Sequence, residues 1–210
     1  MPALDPDAVQ WSAPERERAG RPLLVLAHGR GADERDLFAL SPHLPLRPVI
    51  ASVRAIHPEG AGYSWFDPAH ERRGAASGAA ADTAAGAVLD WLDTVDTGAG
   101  VGMLGFSQGA VVATQLLRLA PRRLDYVVAL SGYVAQGEHP GDVRLRELPP
   151  PVFWGRGGQD RVIPETAVEW SLPWMATHTT LTERVYPDLG HSVGRAELRD
   201  ISAWLEQRLG

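Results

Sequence analysis

A serine lies between two glycines in Gly105-Phe106-Ser107-Gln108-Gly109, where the apolar run Val101-Gly102-Met103-Leu104 passes directly into a helix-like run that starts at Gln108. A Gly-x-Ser-x-Gly turn between a strand and a helix is so tight that only hydrogen side chains fit on either side of the serine. The serine is then held strained and outward, with its hydroxyl offered to a ligand. A serine in front of a helix is otherwise an N-cap. The strand before it and the helix after it favour the nucleophile.

A serine hydroxyl attacks a carbonyl only when a neighbouring base takes its proton. Of the seven histidines, His191 has the best placement. It follows a strand ending at Tyr186, in Asp188-Leu189-Gly190-His191-Ser192, where Gly190 lets the chain turn back toward the serine. His43, His57, His70, His139 and His178 fall in helical or irregular stretches. The base in turn needs a carboxylate to hold its tautomer. Asp160 supplies one in the glycine-rich stretch Gly155-Arg156-Gly157-Gly158-Gln159-Asp160. Its plainer readings are a charge at the start of the next helix or a partner for Arg161. Asp188 is the rival acid, but three residues before His191 it more naturally shapes the turn.

Attack leaves an oxyanion, and loss of one backbone donor to such an oxygen costs about 100- to 1000-fold in rate. The N–H of Gln108, at the positive end of its helix, is one expected donor. The amide of Arg30 in His28-Gly29-Arg30-Gly31 is the other, although that segment also reads as an ordinary turn.

These side chains need a frame that collects strand ends. Residues 22–27, 48–53, 101–104, Tyr126–Leu130, 151–154 and 181–186 read as buried strands. Residues 33–44, 79–96, 108–120, 165–177 and 196–209 read as helices, and an edge strand is placed at residues 9–11. Alternation of this kind gives an α/β fold with a mostly parallel sheet and helices on both faces. Reactive groups in such folds gather at the carboxyl ends of the strands. Residues 54–78 read as a long loop and 132–150 as an irregular excursion. Residues 1–210 are expected to form one domain.

Composition narrows the function. With 44% hydrophobic residues and mixed charge, the chain is expected to be a soluble globular protein. No apolar stretch approaches the roughly 20 residues of a membrane span. The start has no basic segment followed by an apolar one, so a cytoplasmic location is expected. There is no cysteine, which excludes disulfides, thiolate metal sites and a cysteine nucleophile. A net charge of -6 argues against nucleic acid as a partner.

Several segments together resemble the phospholipase/carboxylesterase family of the α/β-hydrolases, relatives of the acyl-protein thioesterases. They are residues 26–34, Trp65-Phe66-Asp67, the elbow at residues 105–110, Leu130-Ser131-Gly132, residues 160–164 and Gly190-His191. The likeness spans residues 23–205. It implies a metal-independent, cofactor-free serine esterase with Ser107, Asp160 and His191 as triad and Arg30 and Gln108 as amide donors. The chain departs from that family in having little or no helical cap, and in Arg30, which stands where thioesterase relatives carry an apolar side chain.

The substrate expected is a small-molecule ester of small or medium acyl length, with Gly29, Tyr63, Trp65, Phe66, Tyr133 and Val162 around it. Trp65 and Phe66 read equally as core packing of a long loop, and Trp170 and Trp174 read as core. Thioester, lysophospholipid, lactone or peptide chemistry would suit the same site. A hydrolase-like binding protein without turnover is the competing class. The number of subunits is open, a homodimer included.

Overall fold

The computed structural model describes residues 2–66, 71–72, 75–76 and 78–209. Asp67 and His70 lie outside the described residues, as do the side chains of residues 71–77. The main sheet is built from β1 (Gln10–Trp11), β2 (Leu23–Ala27), β3 (Val49–Val53), β8 (Val101–Phe106), β9 (Tyr126–Leu130), β10 (Pro151–Gly157) and β11 (Thr180–Tyr186). The hairpins β4 (His57–Glu59) with β5 (Gly62–Ser64), and β6 (Glu71–Arg72) with β7 (Ala75–Ala76), stand apart from it.

The strands run in the order β1-β3-β2-β8-β9-β10-β11. All neighbouring pairs are parallel except β1 with β3. Alternate side chains feed two cores because a strand sends successive residues to opposite faces. Val25, Met103, Val127 and Trp154 pack on one face beneath α2 (Gly78–Leu92), α3 (Gln108–Leu119) and α5 (Glu165–His178). Leu24, Leu104, Val128 and Phe153 pack on the other, against α1 (Glu34–Phe38) and α6 (Arg195–Leu209). The sheet is therefore covered on both sides.

Four expectations need correction. The helix expected over residues 33–44 ends at Phe38 and gives way to a short 3-10 turn, Ser41–His43. Pro42 has no N–H to continue the ladder, and its ring would meet the carbonyl of Phe38. The stretch 54–78 is not a plain loop, since it contains the two hairpins. The excursion 132–150 holds the short helix α4 (Gly141–Glu147), which packs on α3. Trp174 is buried but Trp170 is 37% exposed. It lies on the flank of α5, outside the inward stripe of Ala167, Ser171, Trp174 and Met175.

Candidate active site

Ser107 joins β8 to α3 with φ 54 and ψ -117, a backbone conformation that costs a non-glycine residue on the order of 1–3 kcal/mol. Its neighbours make the turn feasible. A Cβ on Gly105 would collide with the carbonyl of Gly109, and one on Gly109 would collide with the carbonyl of Ala27 in β2. The Ser107 amide donates to Leu130 O at 2.9 Å, which ties the turn to the end of β9.

His191 follows β11 and Asp160 follows β10. The imidazole Nε2 lies 3.0 Å from Ser107 Oγ, and Nδ1 lies 2.7 Å from Asp160 Oδ2. With its Nδ1–H given to the carboxylate, the ring turns the Nε2 lone pair toward the hydroxyl. Asp160 is itself fixed, because Oδ1 accepts the amides of Val162 at 2.8 Å and Ile163 at 3.2 Å. Neither plainer reading of Asp160 describes these bonds, and Asp188 is exposed on the surface.

The glycine-rich stretch has a concrete purpose here. A Cβ on Gly157 would strike the carbonyls of Leu189 and Gly190, so the loops bearing Asp160 and His191 lie backbone to backbone. Gly158 N–H donates to Tyr186 O at 2.8 Å and Gln159 N–H to Leu189 O at 2.9 Å. The Phe106 ring packs against the imidazole at 4.9 Å between centroids.

The loop after β2 is held from several directions. Gly31 N–H donates to Tyr63 O and Tyr63 N–H to Ala32 O, both at 2.8 Å. The Arg30 guanidinium pairs with Glu59, with Nε at 2.7 Å from Oε1. His28 is fully buried, and its Nε2 accepts the amide of Ala55 at 3.1 Å. Its Nδ1–H therefore faces Gly29 O at 2.7 Å, and burial lowers the pKa of this imidazole. Glu34 opens α1 as a buried carboxylate held by both Nε and a terminal nitrogen of Arg54, at 2.7 and 2.8 Å. Arg54 holds the Glu34 carboxyl below the usual carboxylate range.

A cavity of about 760 Å³ opens over Ser107 and His191. Gly29, Phe106, Tyr133, Val162 and Ile163 line part of it, and Arg30, Asp36 and Glu59 line another part. Tyr63, Trp65 and Phe66 are not in its wall. Tyr63 carries the Arg54 guanidinium over its ring at 4.6 Å, and Trp65 and Phe66 are core residues. The buried Trp65 indole N–H donates to His28 O at 2.8 Å, which makes it a support for the loop. Sequence reasoning missed Asp36, Glu59 and Ile163, whose approach depends on pairings that leave no local pattern. It also passed over the buried Glu34–Arg54 pair.

A model of the Phospholipase/Carboxylesterase family matches residues 13–209. The chain belongs to this family. Two Arabidopsis thaliana proteins are among its relatives. It is 25% identical over 189 residues to a probable carboxylesterase SOBER1-like, covering 86% of this chain and 70% of that one. It is 30% identical over 111 residues to carboxylesterase SOBER1, covering 50% and 47% respectively. The match thus spans about half the length of SOBER1. Among solved structures, esterase PE8 superposes with a TM-score of 0.76 at 28% identity, over 98% of this chain and 99% of that one. The Bacillus cereus carboxylesterase shares the fold with a TM-score of 0.78 at 19% identity, over 95% and 93%. The fold is that of the α/β-hydrolases.

Proposed function

We propose that this member of the phospholipase/carboxylesterase family is a single-domain serine carboxylesterase acting on small or medium acyl esters through an acyl-enzyme. The observation that carries the reading is the Ser107–His191–Asp160 relay, with its two hydrogen bonds of 3.0 and 2.7 Å. His191 Nε2 takes the Ser107 proton as Oγ bonds to the ester carbonyl carbon. Asp160 stabilises the imidazolium through Nδ1–H. The carbonyl electron pair moves onto oxygen, where the amides of Arg30 and Gln108 are assigned as donors. Collapse expels the alkoxide, which takes the proton from His191. Water then repeats the sequence on the acyl-serine and releases the acid. Each step has a residue of this chain to perform it, and none calls for a metal or cofactor.

The charged wall of Arg30, Asp36 and Glu59 supports the limit on acyl length, because burying a long apolar chain there would desolvate charges. The relatives named carboxylesterase, and the structure of esterase PE8, support the reaction class.

The test is Ser107→Ala on p-nitrophenyl esters of increasing chain length, with fluorophosphonate labelling of the unsubstituted enzyme. Labelling at Ser107, and loss of turnover in the folded variant, are expected. Full activity in the variant would overturn the assignment. Absence of turnover in the unsubstituted enzyme would favour a binding protein.

A further inference from the structure

Glu197 is a charged residue type in an unusual place. It sits in the first turn of α6, where Oε2 accepts the amide of Gly194 at 3.3 Å. A glutamate three residues into a helix often reaches back in this way. Such a residue belongs at the surface, yet Glu197 is 1% exposed and its Oε1 has no hydrogen-bond partner. That oxygen is pressed onto the Cα of Gly155 in β10, where a Cβ would collide with it, and the same slot is bordered by Phe153 and Leu130. The side chain therefore touches two elements at once. One is the end of the loop that carries His191, three residues before Gly194. The other is the strand that leads to Asp160.

We infer that Glu197 is a positioning residue that braces the His191 loop against the strand carrying Asp160, and that it does so as a neutral carboxylic acid. This rests on the esterase reading above. The surroundings favour the neutral form. On the Oε1 side the slot is formed by Gly155, Phe153 and Leu130. Of the charged groups on the neighbouring elements, Asp200 on α6 acts on it as a like charge, and Tyr186 on β11, whose hydroxyl donates to Asp200 at 2.9 Å, feels both carboxylates. The same helix also carries Arg195, Arg199, Glu206 and Arg208, and β11 carries Glu183 and Arg184. Burial pushes the Glu197 carboxyl up to about 7. Ionisation would leave a charge beside apolar groups, and its hydration would require the loop to lift. Misplacing a catalytic group by about 1 Å can cost about 100-fold in rate.

The experiment measures kcat and KM for a p-nitrophenyl ester, corrected for spontaneous hydrolysis, across the pH range for the parent enzyme, Glu197→Gln, Glu197→Ala and Ser107→Ala. In the parent, kcat should decline as pH rises past about 7. Glu197→Gln, uncharged and of the same shape, should match the parent near about pH 6 and lose the alkaline decline. Glu197→Ala should lower kcat by about tenfold below about pH 7, where the parent's brace is intact, and should show no alkaline decline of its own, while leaving KM nearly unchanged. An alkaline decline in Glu197→Gln equal to the parent's would overturn the inference, as would a parent kcat in Glu197→Ala. If Ser107→Ala stays inactive in either event, only the role of Glu197 falls. If Ser107→Ala turns over substrate, the esterase reading falls and this inference with it.

Discussion

Trp65 donates its backbone N–H to the side-chain oxygen of Gln108 at 2.9 Å, across 43 positions of sequence. Gln108 follows the elbow serine, and the Trp65 indole in turn holds the carbonyl of His28. Elbow, aromatic segment and the loop after β2 thus close into one circuit of hydrogen bonds. Gln108→Ala keeps the backbone amide assigned to the oxyanion but orphans the buried N–H of Trp65. A loss of about 1–3 kcal/mol in stability is expected. A fall in kcat of about tenfold or more should accompany it as Arg30 and Ser107 drift apart. Urea unfolding and steady-state kinetics on the same preparation check both, and parent values in each would refute the circuit.

Asp160 and Asp188 can be told apart directly. Asp160 Oδ2 is 2.7 Å from the imidazole, so Asp160→Asn can present an N–H to Nδ1 and favour the wrong tautomer. A kcat loss on the order of a thousandfold or more is expected with the fold intact. Asp188→Asn should leave kcat unchanged. Equal effects of the two substitutions would show that the acid has been misassigned.

How much of this was legible in the sequence differs by element. Tyr126–Leu130 and the elbow can be read locally, since each is a short apolar run bounded by residues that stop it. Ser107, Asp160 and His191 could be singled out because strand order tells which loops share an edge, and the structure brings those three side chains together. Trp65 and Phe66 could not be settled, because an aromatic in a loop looks the same whether it faces a cavity or the core. Glu59 reaches the cavity wall through a hairpin too short to show a period. Glu197 has the sequence pattern of a surface cap, and only the packing of α6 on β10 reveals it as buried.

The Glu34–Arg54 pair predicts a stability effect remote from the nucleophile. Glu34 is almost fully buried and grips Arg54 through two short bonds. Arg54→Met would leave the carboxylate with only Arg35, at 3.9 Å, as an ion partner, at a cost on the order of 1–3 kcal/mol. Adding Glu34→Gln should recover part of that loss, because no charge is then left buried. The folded pKa of Glu34 is depressed, so its contribution is present above the ordinary carboxylate range and fades as pH falls through the folded value. Thermal unfolding of the single and double variants provides the measurement. A double variant no more stable than Arg54→Met would remove the buried-charge explanation.

His28 and Glu197 tilt the stability of the protein with pH in opposite directions. His28 Nε2 already accepts the Ala55 amide, so a second ring proton would meet a donor, and burial adds to the cost. Below the ordinary imidazole value of 6.5 the unfolded chain therefore takes up a proton that the folded one resists. Stability is lost there as pH falls. Glu197 has the reverse sign, since its folded carboxyl stays protonated from the ordinary 4.5 up to about 7. Stability from this group is complete below 4.5 and is lost as pH rises to about 7. The effect is on the order of 3 kcal/mol. Glu197→Gln should accordingly make the slope of stability against pH more positive over this window. His28→Asn, which cannot charge, should make it more negative. Chemical unfolding at several pH values gives both slopes, and parallel lines for parent and variants would show that neither group titrates in this way.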